Sequence, residues 1–239
     1  MAADLTSYEA IILAGGKGTR LSTVVPNLPK PLAPIAGQPF LNYLLRQLGH
    51  QGIRKVYLSV GHLWERVRET YGNRFENIDL VYVVESSPLG TGGAVRGALG
   101  QTNGSNIFVL NGDTFADISL SNMDELHARN GRKLTMALSH VPNASRYGGV
   151  QVENGIVTGF LEKGISGPGY INAGCYLLDR SIFDRAILPS AFSLESDFLI
   201  PNLSSLRPMA FFSDGYFIDI GVPEDYARAE IELSSVQQR

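Results

Sequence analysis

The stretch Glu9-Ala10-Ile11-Ile12-Leu13-Ala14-Gly15-Gly16-Lys17-Gly18-Thr19-Arg20-Leu21 decides how the chain is read. Glu9 to Ala14 is a short apolar run of the kind that forms a buried strand, and glycines follow at once. A glycine loop directly after such a strand belongs at the crevice that an open α/β sheet offers beyond its strand ends. Gly15, Gly16 and Gly18 let the backbone approach a bulky anion and turn its N–H groups towards it. Two standard phosphate loops do not fit. A Walker loop requires Gly-x-x-x-x-Gly-Lys-Ser/Thr, which this is not. A dinucleotide fingerprint requires Gly-x-Gly-x-x-Gly opening a helix, whereas Gly16-x-Gly18 leads into Arg20-Leu21. Pro26, Pro29, Pro31 and Pro34 predict about fifteen extended residues after it.

Outward from this loop, strand-like and helix-like segments alternate. Phe40, Leu41, Leu44, Leu45 and Leu48 recur with helical period after Pro39, and Gly49 and Gly52 supply the stop. Lys55 to Val60, Asp79 to Val84 and Asn106 to Leu110 read as strands, with helices over Leu63 to Tyr71 and Gly93 to Leu99. That alternation predicts a parallel sheet covered on both faces. Leu134 to Val141, Gly149 to Val152, Ile156 to Leu161 and Ile171 to Leu178 are closely spaced strands, separated by turns such as Glu153-Asn154-Gly155. They read as antiparallel additions to a doubly wound first half. A last helix starts at Pro223, carries Glu224 and Asp225 in its first turn, and runs towards Ser234. Together these segments predict a single α/β domain with a mixed β-sheet.

Composition excludes several classes of function. The 239 residues are 44% hydrophobic and 18% charged, ordinary for a globular chain. Twenty Lys and Arg against twenty-three Asp and Glu give a net charge of −3, which leaves no footprint for nucleic acid or an anionic membrane. The lone Cys175 excludes an internal disulfide, suits a reducing compartment, and reads as a small buried apolar residue. The four histidines show no metal-ligand spacing. No apolar run approaches the roughly eighteen residues of a membrane span, and the N-terminus lacks a secretory pattern. A cytoplasmic enzyme or binding domain is expected.

Charged groups in the apolar framework point to polyphosphate chemistry. Lys30 stands between Pro29 and Pro31, which restrict the backbone from which its long side chain starts. With Arg20 beside the glycine loop, it offers the fixed positive charge that a triphosphate needs. Asp113, in Val109-Leu110-Asn111-Gly112-Asp113-Thr114, follows a buried strand, and Asp219, in Phe217-Ile218-Asp219-Ile220-Gly221, ends another apolar run. Phosphate-bound Mg²⁺ takes only one or two protein carboxylates, so such a distant pair suffices if it converges. The bland alternative for Asp113 is a turn aspartate capping its own backbone, and Asp117 and Asp214 read as turn residues.

Gly-Gly-x-Gly-Thr-Arg-Leu at 15–21 followed by Pro-Lys-Pro at 29–31 resembles the sugar nucleotidyltransferases (nucleoside diphosphate sugar pyrophosphorylases), over about residues 8 to 230. The resemblance implies a Rossmann-like doubly wound domain of the nucleotide-diphospho-sugar transferase fold, with a nucleotide-binding half over about 8–115 and a sugar-binding half over about 116–239. It implies transfer of a nucleotidyl group to a sugar 1-phosphate with release of pyrophosphate. Gly15, Gly16, Lys17, Gly18, Thr19 and Arg20 would hold the triphosphate, Arg20 would grip the leaving pyrophosphate, and Lys30 would hold the α-phosphate or the sugar phosphate. Asp113 and Asp219 would bind Mg²⁺.

The segment Glu85-Ser86-Ser87-Pro88-Leu89-Gly90-Thr91 resembles the family's nucleobase loop. By that likeness Glu85, Pro88, Gly90 and Thr91 would meet the base together with the backbone of Leu13, Ala14 and Gly15. A carboxylate only accepts hydrogen bonds, and guanine offers two adjacent donors whereas uracil and thymine offer one flanked by acceptors. Glu85 therefore points to GTP, with ribose binding or a turn cap as its alternatives. Asn111, Gly148, Glu162, Lys163 and Asn172 match the family's sugar contacts, although a Glu-Lys pair also suits a solvated surface. The chain resembles the single-domain members. Pro-Leu-Gly-Thr-Gly-Gly-Ala, Phe-Leu-Glu-Lys and Tyr-Ile-Asn-Ala-Gly are most similar to members that guanylylate a heptose 1-phosphate. Mannose 1-phosphate guanylyltransferases and N-acetylmuramate 1-phosphate uridylyltransferases stay open, as does a non-catalytic regulatory subunit. A metal-dependent glycosyltransferase would be expected to carry Asp-x-Asp, which Asp113-Thr114-Phe115 does not provide. Trp64 reads as partial core or interface, and Ile231 and Leu233 near the end of the last helix hint at a homodimer.

Overall fold

The computed structural model describes residues 4–16, 25, 28–164 and 166–236. Its first half contains β1 (Glu9–Leu13), β2 (Pro34–Ile35), β3 (Gln38–Pro39), α1 (Phe40–His50), β4 (Lys55–Val60), α2 (Trp64–Tyr71), β5 (Arg74–Phe75), β6 (Ile78–Val84), α3 (Gly90–Leu99) and β7 (Asn106–Asn111). Then come β8 (Thr114–Ala116), α4 (Leu120–Asn130), β9 (Leu134–Val141), β10 (Val150–Glu153), β11 (Ile156–Phe160) and β12 (Gly169–Asp179). The chain closes with α5 (Ile200–Leu206), β13 (Met209–Ser213), β14 (Phe217–Asp219) and α6 (Pro223–Val236). Ten of these strands form one sheet in the order β10-β11-β13-β9-β12-β7-β1-β4-β6-β5.

Both faces of that sheet are covered, which is why its central strands are largely apolar. Ala10 and Ile12 of β1 enter a core built with Phe40, Leu41 and Leu44 of α1, Val67 of α2 and Ala229 and Leu233 of α6. Ile11 points the other way, into a core with Val95, Ala98 and Leu99 of α3 and with Leu194, Phe198 and Leu199. β1 pairs in parallel with β4 on one side and β7 on the other. The strand order therefore reverses at β1, and a crevice opens beyond Leu13, where the glycine loop begins. None of the described helices is long and apolar enough to cross a membrane.

The doubly wound first half and the added antiparallel strands match the reading of the sequence, with four corrections. Residues 30–32 form one turn of 3-10 helix rather than extended chain, because the Leu32 N–H reaches back to the Pro29 carbonyl at 2.8 Å. The third helix starts at Gly90, since its glycines lie close against Phe192 and accommodate no side chain there. β13 joins β9 in parallel within the otherwise antiparallel second half. α4 gives little sign of itself in the sequence because it is largely polar, although Ser119 caps it and left-handed Gly131 ends it.

A two-stranded ribbon outside the main sheet brings distant acidic residues together. β8 and β14 are antiparallel, with Thr114 opposite Asp219 and Phe115 opposite Ile218, and the Ile220 N–H donates to the Asp113 carbonyl at 2.9 Å. Next to the ribbon the Gly112 N–H donates to the Leu13 carbonyl at 3.0 Å, and a Cβ on Gly112 would lie 2.5 Å from that same oxygen. Gly112→Ala is expected to destabilise the protein by about 1–3 kcal/mol through overpacking against backbone that cannot move aside. Urea denaturation checks this, and an unchanged midpoint would contradict the close approach.

Candidate active site

The ribbon brings together two carboxylates, Asp113 just before β8 and Asp219 at the end of β14, beside the lysine. Lys30 Nζ lies 2.5 Å from Asp113 Oδ2, and Thr114 Oγ1 donates to Asp113 Oδ1 at 3.2 Å. Asp219 Oδ1 accepts the Gly221 N–H at 2.7 Å. A Cβ at Gly221 would stand 2.7 Å from Asp219 Oδ1 and 3.3 Å from Lys30 Nζ, so the three charged groups share one small space that only glycine leaves open. Burial pushes the Asp219 carboxyl above its ordinary range and the charge of Asp113 adds to this, against the Gly221 N–H, Lys30 and Arg146. One ammonium therefore compensates two carboxylates incompletely.

That imbalance suits a divalent cation. Among the described residues no group of three or more His, Cys, Asp or Glu could hold a metal. A cation here would draw two carboxylates from the chain and its other oxygens from phosphates and water, which is how Mg²⁺ is commonly held beside phosphate.

Beyond the end of β1 lies a cleft of about 740 Å³ lined by Leu13, Gly15, Gly16, Trp64, Glu85 and Pro88, among others. Gly15 and Gly16 are exposed, and Gly16 has φ +108°, which glycine adopts without strain. The loop leaves the sheet with its backbone tied on both sides: the Ala14 N–H donates to the Ser59 carbonyl and the Leu13 carbonyl accepts from Gly112. Glu85 Oε1 accepts from Ser59 Oγ at 3.0 Å, and Oε2 accepts the Leu89 N–H at 3.3 Å. A carboxylate has about four acceptor positions, so capacity remains for a ligand. A Cβ on Gly15 would lie 2.8 Å from Glu85 Oε1, which places loop and carboxylate side by side. Gly90 (φ +69°) and Pro88 also line the cleft. The expectations for Lys17, Gly18, Thr19 and Arg20 lie outside the described residues.

Several residues singled out in the sequence have protein partners of their own. Thr91 Oγ1 donates to Glu195 Oε2 at 3.1 Å and accepts the Leu194 N–H at 2.8 Å, so this hydroxyl is engaged within the fold although Thr91 lines the cleft. Asn172 Nδ2 donates to the Tyr176 hydroxyl at 2.6 Å and Oδ1 accepts the Gly174 N–H at 3.0 Å, leaving one N–H and one lone pair. The Gly148 N–H donates to the Ala144 carbonyl, and a Cβ there would lie 2.8 Å from the Leu161 carbonyl, which brings Gly148 against the exposed Glu162-Lys163 loop. Asn111, at the end of β7, lies against Gly174 of β12. Asp117 and Asp214 are exposed. Cys175 is buried, and burial pushes its thiol up to about 12, which suits an inert apolar residue. Trp64 packs against the core and also lines the cleft, a role the sequence reading does not assign.

Three contributors are not foreseen from the sequence. Asp225 is buried in the first turn of α6 and ion-paired to Arg146 and, at 3.1 Å, to Arg228. The Arg146 guanidinium stands 4.5 Å from the centre of the Tyr147 ring, so the pair fastens the 143–149 loop to α6 beside Asp219. Glu195 joins the Tyr176 hydroxyl at 2.8 Å to Thr91. The residues of the Arg146–Asp225 and Thr91–Glu195 contacts lie 79 and 104 positions apart, beyond any local pattern.

The family model described as Nucleotidyl transferase matches residues 9–235. The chain is 44% identical over 225 residues to the D-glycero-alpha-D-manno-heptose 1-phosphate guanylyltransferase of Aneurinibacillus thermoaerophilus, covering 94% of this chain and 98% of that protein. Its counterpart from Campylobacter jejuni is 43% identical over 91% of this chain and 96% of its own. The crystal structure of HddC from Yersinia pseudotuberculosis superposes with a TM-score of 0.86 at 35% identity, and that of HddC complexed with GMP-PN with 0.84 at 34%. Each match covers 95% of this chain and 99% of HddC.

The exchange Asp225→Asn removes a buried charge shared by two half-exposed arginines. It is expected to cost about 1–2 kcal/mol of stability, the value of charge-assisted hydrogen bonds reduced by solvent screening. Urea denaturation of the variant reads this directly; a loss below 0.3 kcal/mol (about the error of such comparisons) contradicts the role given to the pair.

Proposed function

The chain belongs to the nucleotidyl transferase family, and from that premise we propose that it transfers a guanylyl group from GTP to D-glycero-α-D-manno-heptose 1-phosphate, giving GDP-heptose and pyrophosphate for bacterial surface polysaccharide. The observation that carries this reading is the convergence of Lys30, Asp113 and Asp219 at the open end of β1, next to a cleft with Glu85 on its wall. The guanylyltransferase names of the relatives and the GMP-PN complex of HddC support GTP and heptose as the substrates.

In this reading an oxygen of the sugar 1-phosphate attacks the α-phosphorus of GTP. A new phosphoanhydride bond forms there as the bond to the β,γ-diphosphate breaks, and pyrophosphate leaves. No covalent enzyme intermediate is required. Lys30 holds positive charge against the reacting phosphoryl oxygens, where negative charge accumulates in the transition state. The backbone of Gly15 and Gly16 lets the triphosphate come close, and the family resemblance would give the charges of Lys17 and Arg20 to the leaving group. Asp113 and Asp219 would hold Mg²⁺, whose charge offsets that of the phosphates and aligns them. Asn111, Gly148, Glu162, Lys163 and Asn172 line the sugar side, where fixed polar groups penalise a wrong epimer. Positioning and electrostatics supply the acceleration.

A panel of GTP, ATP, UTP and dTTP against heptose, mannose and glucose 1-phosphates, read as pyrophosphate release, tests the assignment. Release with GTP and the heptose phosphate should exceed every other pairing by at least about tenfold (1.4 kcal/mol of discrimination); a better pyrimidine nucleotide or mannose phosphate overturns it. Because one phosphoanhydride is exchanged for another, GDP-heptose and pyrophosphate should regenerate GTP. In Glu85→Gln, GTP preference over the other nucleotides should drop by about tenfold, since the amide offers one acceptor atom where the carboxylate offers two. Unchanged base selectivity would remove Glu85 from base recognition.

A further inference from the structure

The chain has a single tryptophan, and it stands on the wall of the nucleotide cleft. Trp64 opens α2, which follows β4, a neighbour of β1. The residue before it, Leu63, has φ +59° and ψ 28°, a left-handed conformation that is uncommon for a branched side chain. The Trp64 N–H donates to the Gly61 carbonyl at 3.1 Å, closing a tight turn that ends with the indole at the cleft. Backbone outliers of this kind persist where the surroundings over-determine them and cluster at ligand sites.

The indole is also held in place before any ligand arrives. Its ring lies 6.4 Å from that of Tyr82, tilted by 51°, and the Arg68 guanidinium stands 5.9 Å from the ring centre. Trp64 is half-buried and packs against the main core. An aromatic wall fixed in this way loses little freedom when a flat ring settles against it. Glu85 lines the same cleft, so the group that reads a base edge and a large aromatic surface bound one space.

We propose that Trp64 is a nucleobase-binding residue, an aromatic wall against which the purine of the nucleoside triphosphate packs while Glu85 meets its edge. The inference rests on the guanylyltransferase reading and adds a residue that neither the glycine loop nor the base loop contains. An aromatic wall accepts any flat base, so Trp64 supplies affinity whereas Glu85 supplies choice.

Because Trp64 is the sole indole, its fluorescence reports on this position alone. GTP titrated into the unaltered enzyme with Mg²⁺ should change Trp64 emission saturably, at the concentration where calorimetry shows GTP to bind, and inorganic triphosphate should leave it unchanged. Trp64→Ala should raise KM for GTP by about tenfold, more than it alters kcat or KM for the sugar phosphate, and Trp64→Phe, which keeps an aromatic ring, should recover most of that loss. Calorimetric binding of GTP with no change in emission overturns the inference and leaves the guanylyltransferase reading standing. So does an unaltered KM for GTP in folded Trp64→Ala. Should Trp64→Ala fail to fold, the emission titration and Trp64→Phe decide. Absence of GTP binding to the folded enzyme overturns both readings.

Discussion

The ion pair between Lys30 and Asp113, with Asp219 beside it, is the constraint on which the rest of the site depends. Two carboxylates so close together repel, and one of them is largely removed from water. The fold holds them there by backbone rather than by side-chain attraction: β8 and β14 pair, and the Ile220 N–H bonds to Asp113 itself. Lys30 arrives from a different part of the chain, on a short 3-10 turn with proline on either side. Its ammonium offsets one negative charge and leaves the other for a cation. A polyphosphate bound at the glycine loop would bring further negative charge, and a divalent cation held there would complete the electrostatic balance that lets substrate and carboxylates share a space.

A second arrangement ties β12 to the first turn of α3. Asn172 on β12 hydrogen-bonds Tyr176, Tyr176 bonds Glu195, and Glu195 bonds Thr91 in the first turn of α3. Tyr176 is fully buried, so leaving any of these polar groups unpaired would be costly. Asn172, a candidate sugar contact, and Thr91, a candidate base contact, are thus positioned by one continuous network through the core. The Arg146–Asp225 pair does the corresponding work for the 143–149 loop, which it anchors to α6. Asn111 and Asn172 stand on strands of the main sheet and Thr91 on α3, while the loop that carries Gly148 is fastened to α6.

Much of this is legible in the sequence, and the exceptions have physical causes. β1, β4 and β7 are largely buried and read as apolar runs, and α1 shows its period through Leu41, Leu44, Leu45 and Leu48. Asp113 and Asp219 stand out because a charged group at the end of such a run calls for a partner. The strands that bring them together are three residues each, too short for any period to register. Thr91 gives no sign that it is joined to Tyr176 and Asn172, since Glu195, which links them, lies 104 positions from Thr91 and leaves no local pattern. Trp64 is obscure for a related reason. Half the positions of its helix are charged, so Trp64 reads as packing, and only the folded turn at Leu63 brings it to the cleft.

The most direct test of the account is Mn²⁺ bound to the enzyme in the presence of GTP, measured by electron paramagnetic resonance as the fraction of free ion. The convergence of Asp113 and Asp219 predicts a saturable Mn²⁺ site that weakens at least about tenfold in Asp113→Asn and in Asp219→Asn alike, as loss of one of two charged ligands should produce. Equal Mn²⁺ affinity in the unaltered protein and in both folded variants would show that these two carboxylates do not serve a common ion, and would contradict the account.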